Sequence, residues 1–317
     1  MNNTKPVRVA VVGAGYLGRF HAQKYAALDG AELIAVVDTN AERAAAVAAE
    51  CGCEAHGDLA TVTDRIDAAS VVVPTSGHHD VALPLLTAGK HLLLEKPIAP
   101  SLAEADAIVA AAATAGVILQ VGHLERFNPA IRELVGRVKQ PLFIEAHRLS
   151  GFSGRATDVD IVVDLMIHDI DILLALVDDR VTDVQAVGAP VITGQVDIAN
   201  ARLEFSGGCC ANLTASRVST QDMRKFRVFQ PGGFMSADCA RQTNQIVMRG
   251  PDDAIVPEMY EHERADNLMT EIEAFLAAVR GERQPEVSGD AGREALRVAL
   301  AVTADIERRL GQLDQGA

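Results

Sequence analysis

No apolar run in this chain approaches the ~20 residues that a membrane-crossing helix needs. The opening Met1-Asn-Asn-Thr-Lys-Pro6 also lacks the apolar segment of a secretory signal. Both absences point to a cytoplasmic protein without a membrane partner. Cysteine is sparse. Cys51, Cys53, Cys209, Cys210 and Cys239 are odd in number, and a chain of 317 residues needs no disulfide framework. Cys51-Gly52-Cys53 has no second ligand pair at zinc spacing, so no metal site is expected. Basic residues are outnumbered, leaving a net charge of −14. Nonspecific nucleic-acid binding depends on clustered Lys and Arg, and that balance argues against it. A small anionic ligand remains possible where basic residues gather locally. Internal repeats and low-complexity segments are also missing.

What is present begins at Val9-Ala-Val-Val-Gly-Ala-Gly-Tyr-Leu-Gly18, where a buried-strand pattern turns into a helical one. Gly13 permits the tight turn, Gly15 lets a pyrophosphate approach the backbone, and Gly18 lets helix and strand pack closely. Tyr16 and Leu17 lie inside the turn, and the helix start offers unsatisfied N–H groups to a phosphate. About 20 residues on, Leu33-Ile-Ala-Val-Val-Asp38 ends in the carboxylate that a ribose requires. Strand, helix, second strand and terminal acid together predict a dinucleotide site.

Apolar runs at Val7–Val12, Leu33–Asp38, Ala69–Pro74, His91–Glu95 and Val117–Gly122 alternate with helical patterns, as in a doubly wound parallel sheet. Ser101-Leu-Ala-Glu104 is a capping box that opens one of those helices. The character changes after Gly122. A helix over Arg126–Lys139 leads to a strand at Leu142–Arg148 and a glycine-rich loop, Ser150–Gly154. An apolar helix over Val159–Val177 follows, then strand patterns from Thr182 to Met248 and helices at Glu261–Arg280 and Gly292–Leu310. The predicted fold is α/β: a Rossmann dinucleotide-binding domain over 1–122, then a substrate-binding and oligomerisation α/β domain over 123–317 with a large, mostly antiparallel sheet. One face of that sheet is left outward, which suits a homo-oligomer.

Two further constellations carry chemistry. Leu93-Leu-Glu-Lys-Pro97 ends a parallel strand, so Glu95 and Lys96 face the crevice where ligands of open α/β sheets lie. In Asp164-Leu-Met-Ile-His168 the i,i+4 spacing puts an acid and an imidazole on one helical face within apolar surroundings. Asp169 and Asp171 flank them, with helix-surface charge as the simple reading.

With these pieces in view, the chain resembles the Gfo/Idh/MocA family of nicotinamide-dependent sugar oxidoreductases over nearly its whole length. The resemblance rests on Gly13–Gly18, Pro74-Thr-Ser-Gly-His78, Ala88-Gly-Lys-His91 leading to Glu95-Lys-Pro97, and Asp164-x3-His168. It implies Lys96, Asp164 and His168 as catalytic residues. Gly13, Gly15, Tyr16, Leu17, Gly18, Asp38, Pro74, Thr75, His78 and Glu95 become the cofactor set. Two segments, Val121–Pro129 with its His123 and the acidic Asp158–Asp171, resemble a branch that oxidises C3 of UDP-N-acetylglucosamine to the 3-keto sugar. Dehydrogenation of a free sugar or polyol such as myo-inositol, or non-catalytic sensing of NAD or sugar, are the alternatives.

On this reading His168 takes the hydroxyl proton, Asp164 orients it, and Lys96 stabilises the developing alkoxide. The reverse assignment, with Lys96 as base, stays open. Asp38 favours NAD, because a 2′-phosphate would meet its carboxylate. Arg43 is expected on the exposed helix face. A diphosphate calls for arginine, with Arg148 and Arg155 as first candidates and Arg126, Arg217, Arg224 and Lys225 behind them. Lys96, His123 and His168 complete the expected substrate set.

Overall fold

The computed structural model describes residues 5–152, 159–250 and 252–314. The chain divides into two compact units, 1–124 with 266–294 and 125–265 with 295–317.

The first unit is built on β1 (Val7–Val12), β2 (Ala31–Val37), β3 (Glu54–His56), β4 (Ala68–Val71), β5 (His91–Glu95) and β6 (Leu119–Gly122). These form one sheet in the order β3-β2-β1-β4-β5-β6 with every pairing parallel. The order reverses between β1 and β4, and that switch point opens a crevice at the strands' carboxyl ends. The connecting helices are α1 (Tyr16–Ala27), α2 (Ala41–Cys51), α3 (His78–Thr87) and α4 (Leu102–Ala115). Asn40 caps α2 by accepting from the Arg43 amide at 2.9 Å, and Ser101 caps α4 by accepting from Glu104 at 3.3 Å. β3, three half-polar residues at the sheet edge, was not foreseen, because a strand that short carries no readable period.

The expected boundary at 122, with everything after it in one second domain, does not hold. Residues 266–294 return to the first unit. There α7 (Asn267–Val279) places Leu268, Ile272, Phe275 and Leu276 in the same core as Val9, Val11 and Tyr25. The amphipathic pattern of α7 shows that it buries a face, but not against which core.

Among the described residues the second unit carries eight strands. They are β7 (Phe143–Leu149), β8 (Val181–Ala189), β9 (Ile198–Phe205), β10 (Cys210–Ser216), β11 (Met223–Gln230), β12 (Gly233–Asp238), β13 (Thr243–Arg249) and β14 (Ile255–Glu261). Their order is β14-β13-β12-β11-β7-β10-β9-β8, antiparallel throughout except for the pairing of β7 with β10. Alternation along each strand turns Ile144, Ala146, Ala201, Leu203, Ala211, Leu213, Phe226 and Val228 to one face. That face packs with α5 (Pro129–Arg137), α6 (Ile167–Leu176) and the later part of α8 (Gly289–Asp314) in one core. The other face presents Asn200, Arg202, Glu204, Arg227 and Gln245 exposed.

The helix expected over Val159–Val177 begins differently. One turn of π-helix, Val162–Met166, leads into α6. Such a turn inserts a residue locally and is frequent at functional sites. Among the described residues no helix is long and apolar enough to cross a membrane.

Candidate active site

A cavity of about 610 Å³ opens at the switch point of the first unit. Gly13, Gly15, Leu17, Asp38, Thr39, Arg43, Gly57–Leu59, Pro74, Glu95 and Lys96 line it. The glycine turn has the geometry expected of it. Gly13 sits at φ 102°, and a Cβ there would lie 2.5 Å from the Val72 carbonyl oxygen. A Cβ on Gly18 would meet the Gly13 carbonyl at 1.8 Å, whereas none is crowded at Gly15, which faces open space. The turn is therefore tight on its protein side and open toward the cavity, as a pyrophosphate requires.

Asp38 closes one end. Its Oδ2 accepts from the Ala14 amide at 2.7 Å, and its Oδ1 accepts from the Asn40 amide at 2.7 Å and from Arg43 Nη2 at 3.0 Å. Burial works to raise its pKa, and these donors overcome it and hold the carboxyl below its usual range. A carboxylate has about four acceptor positions, so Asp38 retains capacity for a ribose hydroxyl. Arg43 is exposed on α2, as expected, but it does not stand apart from the site. The side chain folds back across the first turn of α2 and pairs with Asp38, a relation that spacing alone does not reveal.

Several predicted cofactor residues have other neighbours. Tyr16 opens α1 with 72% exposure, its ring edge-on to Phe20 at 5.1 Å. Thr75 lies in a short 3-10 turn, Thr75–Gly77. His78 is a correction. It is buried behind the cavity, with Nδ1 2.9 Å from the Pro97 carbonyl oxygen and Nε2 3.0 Å from that of Val73. Burial lowers its pKa against the pull of those carbonyls and of Glu95. His78 joins the loops after β4 and β5 instead of reaching a ligand.

β5 and β6 run in register with Glu95 opposite Gly122, so Lys96 and His123 leave the sheet at neighbouring places. His123 is buried, its amide donating to Val121 at 2.8 Å. Lys96 is half-buried on the cavity wall.

In the second unit, Asp164 falls in the π turn and His168 at the start of α6. Both are half-buried, while Met166, Ile167, Asp169 and Ile170 are buried. Asp169 and Asp171 are not surface charges. Asp171 pairs with Arg126 at 3.5 Å, and Asp169 with Arg148.

Arg148 is the main correction to the expected substrate set. Its guanidinium is buried, donating to Asp169 from Nε and Nη2 and to Glu125 from Nη1 at 3.0 Å. Burial disfavours the cation, and the two carboxylates overcome that and keep it charged. Buried and held between two carboxylates, this guanidinium is not presented to a diphosphate. Arg217 is buried as well, donating to the Val159 carbonyl and lying 3.8 Å from Asp197. Arg155 lies outside the described residues. Arg224, opposite Arg148 on β11, is exposed and 3.6 Å from Glu125, and it remains accessible where Arg148 does not.

Sequence reasoning also missed His21. It lies on the buried stripe of α1 with Gly18, Ala22 and Tyr25, where two polar side chains among small ones were the available signal.

Comparison with known proteins adds to this geometry. The GFO/IDH/MocA model for an oxidoreductase family with an NAD-binding Rossmann fold matches residues 7–123, and that for the GFO/IDH/MocA C-terminal domain matches 131–234. UDP-N-acetylglucosamine 3-dehydrogenase of Acidithiobacillus ferrooxidans is 40% identical over 307 residues, spanning 95% of this chain and 97% of that one. A solved structure of that enzyme superposes with a TM-score of 0.91 at 40% identity, over 96% of this chain and 99% of its own. The scyllo-inositol 2-dehydrogenase (NAD(+)) of Bacillus subtilis is 30% identical over 319 residues, covering 94% and 93%.

Proposed function

The chain belongs to the GFO/IDH/MocA oxidoreductases, and from that premise we propose that it oxidises C3 of UDP-N-acetylglucosamine to the 3-keto sugar with NAD. One observation carries the substrate: the 40% identity to a UDP-N-acetylglucosamine 3-dehydrogenase runs end to end. It includes the unit that bears His168 as well as the one that bears the glycine turn.

The cofactor residues fit a dinucleotide. Gly15 leaves the space for a pyrophosphate, and Asp38 offers the acceptor for a ribose hydroxyl, favouring NAD over its 2′-phosphorylated form. Bound NAD supplies the hydride acceptor. The chain's own groups handle the proton and the charge. His168 takes the hydroxyl proton, Asp164 orients the imidazole, and the Lys96 ammonium stabilises negative charge growing on the sugar oxygen. Arg224 is the accessible cation for the diphosphate, replacing Arg148. His123 belongs to the same proposed substrate set.

The setting is cytoplasmic, where the five free thiols stay reduced. We include self-association of two copies in the proposal. The outward sheet face carries Phe143, Phe229 and Phe234 in one cross-strand row, beside Glu145, Arg202 and Arg227 in the next. An apolar row beside charges of both signs suits a self-complementary contact.

The decisive experiment mixes purified protein with NAD and a panel of UDP-sugars, free sugars and inositols and follows reduced nicotinamide by absorbance. Turnover of UDP-N-acetylglucosamine well above the others is expected. Turnover of an inositol with UDP-N-acetylglucosamine inert would replace this reading with that of a polyol dehydrogenase.

A further inference from the structure

Four polar side chains buried in the first unit form one connected chain that ends at the segment bearing Lys96. His21 and Tyr25 of α1 are both fully buried and turn toward β4 and β5. His21 Nε2 lies 3.1 Å from Glu95 Oε1, and its Nδ1 lies 3.2 Å from Ser70 Oγ. Ser70 Oγ is in turn 2.9 Å from the Tyr25 hydroxyl.

Donor and acceptor roles follow from the chemistry. A carboxylate only accepts, so Nε2 carries the hydrogen and donates to Glu95. In the tautomer with its hydrogen on Nε2, the ring accepts at Nδ1 from Ser70. Ser70 accepts from Tyr25, whose phenol burial pushes up and keeps protonated. The chain runs one way, from Tyr25 through Ser70 and His21 to Glu95, with every member satisfied. Its far end is Tyr25 in the core, with no exit to water. The chain therefore cannot deliver or drain protons, and its consequence is positional.

The position it fixes is that of the segment bearing Lys96. Glu95 Oε2 accepts from the Lys96 amide at 3.3 Å. The carboxylate lies against Gly122, where a Cβ would come within 2.8 Å of it. On the other side His78 meets the Pro97 carbonyl oxygen at 2.9 Å. From Leu92 to Ala99, Lys96 alone is not buried. Its neighbours are pinned on both sides, and the pin on the Glu95 side is His21.

We propose that His21 is a positioning residue for Lys96, acting through Glu95: it holds that carboxylate inward, so that the ammonium is presented to the sugar oxygen and not neutralised by its own neighbour. This rests on the proposed role of Lys96. Released from His21, the Glu95 carboxylate is one residue from Lys96 and would pair with it, and a misplacement of about 1 Å can cost roughly 10²-fold in rate.

The test is a double-mutant cycle with the full-length enzyme, NAD and UDP-N-acetylglucosamine. His21→Leu should lower kcat roughly 10- to 10²-fold, while KM for NAD changes less than about threefold. His21→Gln should restore most of the rate, since its amide can donate to Glu95 and accept from Ser70. In a Glu95→Gln background the His21→Leu effect should shrink to about threefold or less, because the two residues act as one unit. A folded His21→Leu with kcat within about twofold of the parent, or losses that multiply across the cycle, would overturn the proposal. Should His21→Leu not fold, Ser70→Ala takes its place, with a smaller loss of the same pattern expected.

A parent enzyme inert toward UDP-N-acetylglucosamine would instead count against the substrate reading. The positioning claim would then be read from the pH dependence of Lys96 trinitrophenylation by trinitrobenzenesulfonate, in which the amine displaces sulfite from the ring, with Lys96→Arg identifying the signal. Movement of that dependence in His21→Leu but not in His21→Gln supports it, and no movement in either overturns it.

Discussion

Arg148 and Asp169 form a closed fork. Nε of the guanidinium is 3.1 Å from both carboxylate oxygens, and Nη2 is 2.7 Å from Oδ1. Asp169 immediately follows His168, so the pair ties the start of α6 to β7 directly behind the proposed base. Glu125 takes the remaining side of the guanidinium at 3.0 Å, and Arg224 lies 3.6 Å beyond it. Two arginines of the expected diphosphate set thus have different work.

Arg148→Ala should behave as a stability mutant. It leaves two buried carboxylates without their cation, a loss of about 3–5 kcal/mol, read by denaturant unfolding. Arg224→Ala should leave stability nearly unchanged and raise KM for a UDP-sugar about tenfold or more, with less effect on kcat and none on a free sugar. Equal KM values in parent and Arg224→Ala would remove Arg224 from the diphosphate site.

Asp38 and Arg43 should separate the two nicotinamide dinucleotides. Asp38→Ala is expected to weaken NAD binding by about 1.5–3 kcal/mol, the scale of a charged hydrogen bond, and to narrow the preference over NADP. Arg43→Ala should weaken NADP more than NAD, since the guanidinium is the group on the cavity wall able to meet a 2′-phosphate. Fluorescence titration with the reduced cofactors measures both, and unchanged ratios would show that neither side chain reaches the ribose.

His168→Ala should lower kcat about 10²- to 10⁴-fold with little change in cofactor binding. It should also abolish the limb of the pH profile on which rate rises as an imidazole loses its proton. Lys96→Ala should do comparable damage with less change in that profile. If Lys96→Ala removes the limb and His168→Ala leaves it in place, the roles of base and electrostatic stabiliser are exchanged.

Acid should destabilise the second unit through Asp197. Its Oδ2 accepts from the amides of Val191, Ile192 and Thr193 at 2.7–2.8 Å, and its Oδ1 from the Thr193 hydroxyl at 2.7 Å. Burial acts to raise its pKa, but these donors hold the carboxyl far below its usual range. A folded-state pKa below the unfolded value means the stabilisation is complete above about pH 4 and is lost as pH falls toward the folded value. Asp197→Asn should cost about 2–4 kcal/mol at neutral pH. It should also flatten the dependence of stability on pH below 4, measured by urea unfolding, and an unchanged slope would contradict the assignment.

The outward sheet face is tested by Phe229→Glu. Phe229 lies between Phe143 and Phe234, with ring centroids 5.7 and 5.1 Å away. Burying the new carboxylate against a second copy would be unfavourable. Sedimentation should show a dimer or larger species for the parent and monomer for the variant at micromolar concentration. A monomeric parent would end the self-association proposal.

What was legible in the sequence was local. The glycine turn, the strand ending at Asp38, the Glu95-Lys96-Pro97 strand end and the Asp164–His168 spacing depend on a few neighbouring residues, and short-range sterics and periodicity decide such features. β1 and β5 match their sequence boundaries because buried strands between turn signals leave little alternative. Tertiary structure decided everything that depends on what stands opposite. Whether an arginine awaits a ligand or is already neutralised is set by carboxylates up to 23 residues away, as Glu125 is from Arg148. Whether His21 is core filler or the donor to Glu95 is set across 74 residues. Asp266–Glu294 joins the first core because its apolar face finds Val9 and Tyr25 there. Burial and ion pairing are properties of pairs brought together by the fold, and a single chain read in order shows only one member at a time.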